Sequence, residues 1–329
     1  MMPADLPGSL LLVIVLALVF DFSNGWHDSA NAIATVVSTR VLTPMVAVLL
    51  ASALNIAGAF MSTAVAKMIG QGIVDPSAVT QGVVAAALGG AIVWNLCTLF
   101  LGLPTSSSHA LIGGLVGAAI VHGGWKTVKF SGLQSVLAAM VISPLCGFLG
   151  GLMFMVGVSW LFFRTRRSVA TRLFSRLQLL SAGLMAFSHG ANDAQKAMGI
   201  ITLALLSTGY LSSGEVPMWV IVCCALAMGL GTAAGGWRIV RTVGTRIVKL
   251  EPVQGFAAET GTAVVLLATS HYGLPVSTTH TIVSSVMGVG AVRRLSAVRW
   301  GVTAQIVSAW IFTLPGAALT AMAIDLALG

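Results

Sequence analysis

The stretch from Phe187 to Gly199, FSHGANDAQKAMG, sets Asn192, Asp193 and Lys196 inside an otherwise apolar run. A near copy, FSNGWHDSANA, occupies Phe22 to Ala32, an offset of 165 positions. Phe22, Ser23, Gly25, Asp28 and Ala32 match Phe187, Ser188, Gly190, Asp193 and Ala197. An ionisable group at membrane depth is expensive unless it is paired or faces a wet cavity. One such carboxylate in each half of the chain therefore marks a functional site.

The wider composition sets the environment of that pair. The 329-residue chain is 57% hydrophobic and 8% charged, against about 25% charged in an ordinary soluble domain. The reading is an all-α polytopic membrane protein. The net charge of +8 does not point to nucleic acid, because of the 17 Lys and Arg only Lys196 lies inside an apolar run. The others sit in the short breaks, as they do at membrane edges and in cytoplasmic loops. Cys97, Cys146, Cys223 and Cys224 lie within apolar runs and lack metal or redox spacing. Leu10 to Phe20 leads straight into the first motif and reads as part of the fold, not as a removed signal.

In chain order, Gly8 to Phe20 opens a helix that Asp21, Ser23, Asn24 and Gly25 interrupt before it resumes to Val37. Such breaks are tolerated at membrane depth where they line a cavity or pack on protein. Val41 to Ala66 reads as one plain span, Lys67 to Thr80 as a loop and Gln81 to Leu101 as a further span. After Gly102-Leu-Pro-Thr-Ser-Ser-Ser-His109, the apolar run Ala110 to Val121 is too short to cross a bilayer and reads as a re-entrant half-helix. Leu133 to Phe163 carries Pro144, where a kink is expected. Arg164 to Arg176, with five Arg, reads as a cytoplasmic loop.

The second half repeats this order. Leu177 to Leu206 carries the acidic motif, Val216 to Gly236 is a plain span and Trp237 to Glu251 a basic connector. Gly255 to Tyr272 leads to Gly273-Leu-Pro-Val-Ser-Thr-Thr-His280, the short run Thr281 to Val292 and a last span, Val302 to Leu328. Residues 1–163 and 177–329 thus form two repeats around a basic segment, 164–176. Lys67 to Thr80 nets 0 and its equivalent Arg238 to Glu251 nets +3. With Arg164 to Arg176 inside, the positive-inside rule then favours inverted repeats with both termini outside.

Each half-helix begins with unsatisfied N–H groups and the positive end of its dipole. Thr105, Ser106, Ser107 and Ser108 at one, facing Ser277, Thr278 and Thr279 at the other, suit a tetrahedral oxyanion. Pro104 and Pro275 help break the chain before each cluster. Asn192, Gln195 and Lys196 join the anion side. Asp28, Asn31, Asp193 and Glu259 are the candidates for a coupling ion, either H⁺ on a carboxylate or Na⁺ held by oxygens of Asp28, Asn31, Asn192 and Asp193. Lys196 aligns with Asn31 and is placed to pair with Asp193 or to neutralise the substrate. His27, His189 and His271 show no metal spacing. His109 and His280, which end the two motifs, are readable as structural or as ligands. Competing readings are a passive anion channel and an intramembrane enzyme with Asp and His as acid and base.

At Gly190-Ala-Asn-Asp-Ala-Gln-Lys196 and Gly25-Trp-His-Asp-Ser-Ala-Asn31, with Thr105 to His109 and Ser277 to His280, the chain resembles the inorganic phosphate transporter (Pit) family. The resemblance covers nearly the whole chain. It implies symport of inorganic phosphate with Na⁺ or H⁺, an inverted-repeat fold of transport and scaffold parts, a homodimer and a multi-pass place in the plasma (inner) membrane. No cofactor is implied beyond the coupling ion. His27 and Lys196 stand where the full motif has Asn. The G-x-H-D-x-A-N form is similar to the bacterial low-affinity branch, which implies proton coupling and metal–phosphate carriage. Sulfate permeases of the same family give the alternative substrate.

Overall fold

The computed structural model describes residues 7–75, 79–272 and 276–328. Helices follow one another as α1 (Gly8–Ser38), α2 (Pro44–Ala59), α3 (Ala64–Gly72), α4 (Gln81–Leu101), α5 (Ser107–Gly123) and α6 (Phe130–Leu161) in the first half. The second half supplies α7 (Arg167–Asp193), α8 (Gln195–Ser207), α9 (Met218–Ala234), α10 (Trp237–Arg241), α11 (Pro252–His271), α12 (Thr278–Arg293) and α13 (Trp300–Leu328). Among the described residues, α1, α4, α6 and α13 are long and apolar enough to cross a membrane. Met218–Ala234 with Trp237–Arg246 adds a span bent by 60°.

The halves interleave. Helix α1 packs on α9 while α7 packs on α2, and α5 packs on α13 while α12 packs on α6. Every one of these pairs joins one half to the other. Two apolar cores result. One holds Leu10 to Phe20 of α1 with α4, α5 and α8; the other holds Ala30 to Val36 of α1 with α2, α7, α11 and α12. Between them α1 carries buried Asp21, Asn24, His27 and Asp28, and α7 carries buried Ser188, His189, Asn192 and Asp193. The polar belt therefore lies where both motif helices pass from one core to the other.

Four segments differ from expectation. Helix α1 is continuous through Asp21 to Gly25. Its polar side chains need no break, because Ser23 bonds back to Phe20 O (2.7 Å) and Asn24 takes a hydrogen bond from Ser107 of α5. Gly25 serves packing instead: a methyl group there would collide with the Met228 carbonyl of α9. The expected span Val41 to Ala66 divides into α2 and α3, which leaves N–H groups exposed at the start of α3. Gln195 Oε1 satisfies two of them, Val65 N at 2.8 Å and Ala66 N at 3.2 Å.

Most of the expected loop Arg164 to Arg176 is the start of α7. Arg is a good helix former, and buried Phe174 anchors the segment between the rings of Phe162 and Phe256 at 5.1 and 5.4 Å. The basic connector after α9 is helical too. It turns at Gly235, whose φ of 69° suits glycine alone, and Gly236 N donates to Ser29 Oγ at 2.6 Å. Gly273, Leu274 and Pro275, expected to break the chain before α12, lie outside the described residues, as do residues 1–6 and 76–78.

Candidate functional site

Two helix N-termini meet the belt. Ser106 caps α5 by accepting from His109 N at 3.3 Å, and Ser277 caps α12 by accepting from His280 N at 3.1 Å. The next residues in each helix reach a carboxylate. The single Ser107 Oγ proton is shared between Asp28 Oδ2 at 2.9 Å and Asn24 Oδ1 at 2.5 Å, and Thr279 Oγ1 donates to Asp28 Oδ1 at 3.2 Å. One side chain of α1 thus holds a hydroxyl from each half-helix. His27 Nδ1 lies 2.7 Å from the same Oδ1. Beyond it, His27 Nε2 meets Thr98 at 3.1 Å and Thr105 at 3.4 Å.

The second carboxylate is held differently. Asp193 Oδ2 takes hydrogen bonds from Lys196 Nζ at 2.9 Å and Thr278 Oγ1 at 3.1 Å, and lies 3.3 Å from His189 Nε2. Three residues separate Asp193 from Lys196, which puts both on one side of the chain across the step from α7 to α8. The ammonium also donates to Ser107 Oγ at 3.1 Å. Asn31 Nδ2 completes the belt with bonds to Thr278 (3.3 Å) and Thr279 (2.9 Å). A buried charge is tolerable when paired and hydrogen-bonded in this manner.

Not every expected residue joins this cluster. Ser108 points to Val276 O at 3.5 Å. The amide of Gln195 turns away to cap α3 and to reach Ala191 O at 2.5 Å. Asn192 is fully buried, and neither polar atom of its amide has a partner among the described residues; Asn31 Oδ1 and Asp193 Oδ1 are in the same condition. Unpaired buried polar atoms are rare in folded proteins, and Asn31, Asn192 and Asp193 place four of them in the two motifs. Glu259 stands apart, accepting from Thr35 (2.5 Å), Gln178 (3.1 Å) and Ser181.

Sequence reasoning missed three members. Asn24 falls one turn before Asp28 on the same face, so helical spacing alone points to it. His189 lies four residues before Asp193, the spacing that makes contact on a helix; its Nδ1 meets Asn55 Oδ1 at 3.1 Å. Asn55 carries no local signal beyond being polar in an apolar run. The ligand atoms of Asp28, His189 and Asp193 all lie within 4.8 Å of one another, close enough to share one cation. The Lys196 ammonium already sits on the Asp193 side of that group.

Comparison with known proteins places the chain beside phosphate transporters. The model of the phosphate transporter family matches residues 24–173 and 164–321. The chain is 52% identical over 321 residues to a protein of Rhizobium meliloti named "Probable low-affinity inorganic phosphate transporter", covering 97% of this chain and 96% of that one. A Bacillus subtilis protein of the same name is 44% identical, with 93% and 92% covered. A solved structure titled "The sodium-dependent phosphate transporter" superposes with a TM-score of 0.90 at 27% identity, over 98% of this chain and 99% of that one.

Proposed function

The chain belongs to the phosphate transporter family, and from that premise we propose that it is a secondary symporter of inorganic phosphate driven by H⁺. The observation that carries the reading is the double hydrogen bond of Asp28 to Ser107 and Thr279. These hydroxyls stand at the two helix ends suited to an oxyanion. While ionised, Asp28 occupies the donors that phosphate needs and repels it. Protonation removes the charge and releases both hydroxyls, so proton and phosphate bind together. Release on the other side reverses the order.

Lys196 supports H⁺ over Na⁺. Its ammonium supplies, as part of the chain, the positive charge beside Asp193 that a bound cation would bring. The residues also fit Na⁺ in kind, since Asp28, Asn31, Asn192 and Asp193 offer oxygen atoms, and experiment separates the two. The reciprocal packing of α1 on α9 and α7 on α2 is what two-fold-related repeats produce, and the loop charges favour the inverted form. We place the Arg164 to Arg176 segment on the cytoplasmic side of the inner membrane and both termini outside, by the positive-inside rule. Assembly as a homodimer follows from the family resemblance.

The test is uptake of radiolabelled phosphate into proteoliposomes under separately imposed H⁺ and Na⁺ gradients, with sulfate as competitor and chelator to remove divalent metals. An inward H⁺ gradient alone should drive accumulation, and sulfate should not compete. A strict need for Na⁺ overturns the coupling; movement of sulfate without phosphate overturns the substrate. Loss of uptake with chelator identifies a metal–phosphate complex as the carried species.

A further inference from the structure

We propose that Asp21 is a second proton-binding site, a relay carboxyl that passes the co-transported proton to and from Asp28. The inference rests on the H⁺-symport reading above and adds a residue to it. Asp21 is fully buried, and among the described residues neither carboxylate oxygen has a partner in good hydrogen-bond geometry, the Asn24 amide being the one side-chain donor that acts on it. A carboxyl so poorly supplied with donors is stable as the neutral acid or beside a mobile cation. It is therefore built to hold a proton, not to hold the fold.

Position connects it to the site. Seven residues of helix separate Asp21 from Asp28, about 10 Å along one face. Asn24 stands between them on that face. Its Oδ1 accepts from Ser107 Oγ at 2.5 Å, and Ser107 lies 2.9 Å from Asp28 Oδ2. Asn24 and Ser107 thus lie between the relay carboxyl and the one that competes with phosphate. Past Asp28, the same face continues through Asn31 to Thr35, which donates to Glu259.

Charge symmetry gives a second, independent argument. When the two motifs are aligned, Asp21 falls on Ala186 and Asn31 on Lys196. The first half carries an acid where the second has alanine, and the second carries a base where the first has an amide. The charged groups acting on Asp21 are Lys196 and Asp193, with the thiol of Cys224 on α9 as the other titratable neighbour. In the relay step the Asp21 O–H breaks, water along this polar face takes that proton and delivers one to the Asp28 carboxylate, and the new Asp21 carboxylate draws the Lys196 ammonium as counter-ion. Lysine's four-carbon stem permits that exchange of partners from Asp193.

The experiment uses purified full-length protein in proteoliposomes with an entrapped pH-sensitive dye. Phosphate–phosphate exchange, which needs no net proton movement, is measured beside H⁺-driven accumulation. In Asp21→Asn, accumulation should fall about tenfold or more while exchange persists, the signature of a lost proton-transfer group. Asp21→Glu should restore accumulation with a displaced pH profile, and it reads the site directly if Asp21→Asn does not assemble. Unchanged accumulation in Asp21→Asn, or an unchanged pH profile in Asp21→Glu, overturns the relay while leaving proton symport intact. Wild-type protein that moves phosphate only with Na⁺ overturns the relay together with the reading it rests on.

Discussion

Lys196 and Ser107 come from opposite halves of the chain, and the Nζ of one lies 3.1 Å from the Oγ of the other. Through this contact the positive charge of the second motif touches the first half-helix. Ser107 also bonds Asn24 and Asp28, so neither half has a complete site of its own. A change on either side of the contact should be felt on both.

Removing Lys196 leaves Asp193 buried without its counter-ion. Breaking a buried pair from one side costs about 3–5 kcal/mol. Lys196→Ala should therefore lower the unfolding temperature in detergent, and adding Asp193→Asn should recover much of the loss. A double variant no more stable than the single one would show that the pair contributes little.

The two half-helix hydroxyls should act on phosphate affinity. A hydrogen bond to a charged group contributes about 1.5–3 kcal/mol, or roughly 10- to 100-fold in binding. Ser107→Ala and Thr279→Val should raise the KM for phosphate by that factor. Thr281→Val is the control, because Thr281 bonds only Ser277 O within its own helix, at 2.8 Å. Equal effects at Thr279 and Thr281 would argue that the loss is structural.

Glu259 makes three hydrogen bonds away from the Asp28 and Asp193 cluster. If it carries a coupling proton, Glu259→Gln should assemble normally yet slow uphill uptake about tenfold. Glu259→Ala should lose thermal stability as well, since the donors of Thr35, Gln178 and Ser181 are left unsatisfied. Full uphill uptake by Glu259→Gln would assign the residue to structure alone.

Close packing of the motif helices gives a prediction independent of transport. At Gly190 an added methyl would collide with the Asn55 carbonyl, whereas nothing lies near one added at Gly157. Overpacking costs about 1–3 kcal/mol or more. Gly190→Ala should depress the unfolding temperature, and Gly157→Ala should leave it unchanged.

Much of this architecture was legible in the sequence, for identifiable reasons. Gln81 to Leu101 is bounded as read, because hydropathy and Gly102 mark its ends. Asp28 and Asp193, equivalent positions of the repeated motif, lie with ligand atoms within 4.8 Å of each other. The helix across Asp21 to Gly25 was misread as broken, since the partner that satisfies Asn24 is Ser107, far away in sequence. Gln195 was placed with the substrate for a related reason. Spacing tells which face a side chain occupies, not that the N–H groups of α3 wait opposite it. Phe174, which turns the Arg-rich segment into a helix, gains its effect from rings of α6's end and α11 that local pattern cannot supply.

The account turns on Asp28 competing with phosphate for Ser107 and Thr279. The direct measurement is equilibrium phosphate binding against pH for wild type and Asp28→Asn, with the titration of phosphate itself common to both. Wild-type affinity should depend on pH beyond the dependence of phosphate itself, because phosphate binding is coupled to a proton on Asp28, while Asp28→Asn, permanently neutral, should bind with the pH dependence of phosphate alone. Loss of binding in Asp28→Asn, or a pH profile identical to wild type, would contradict the account.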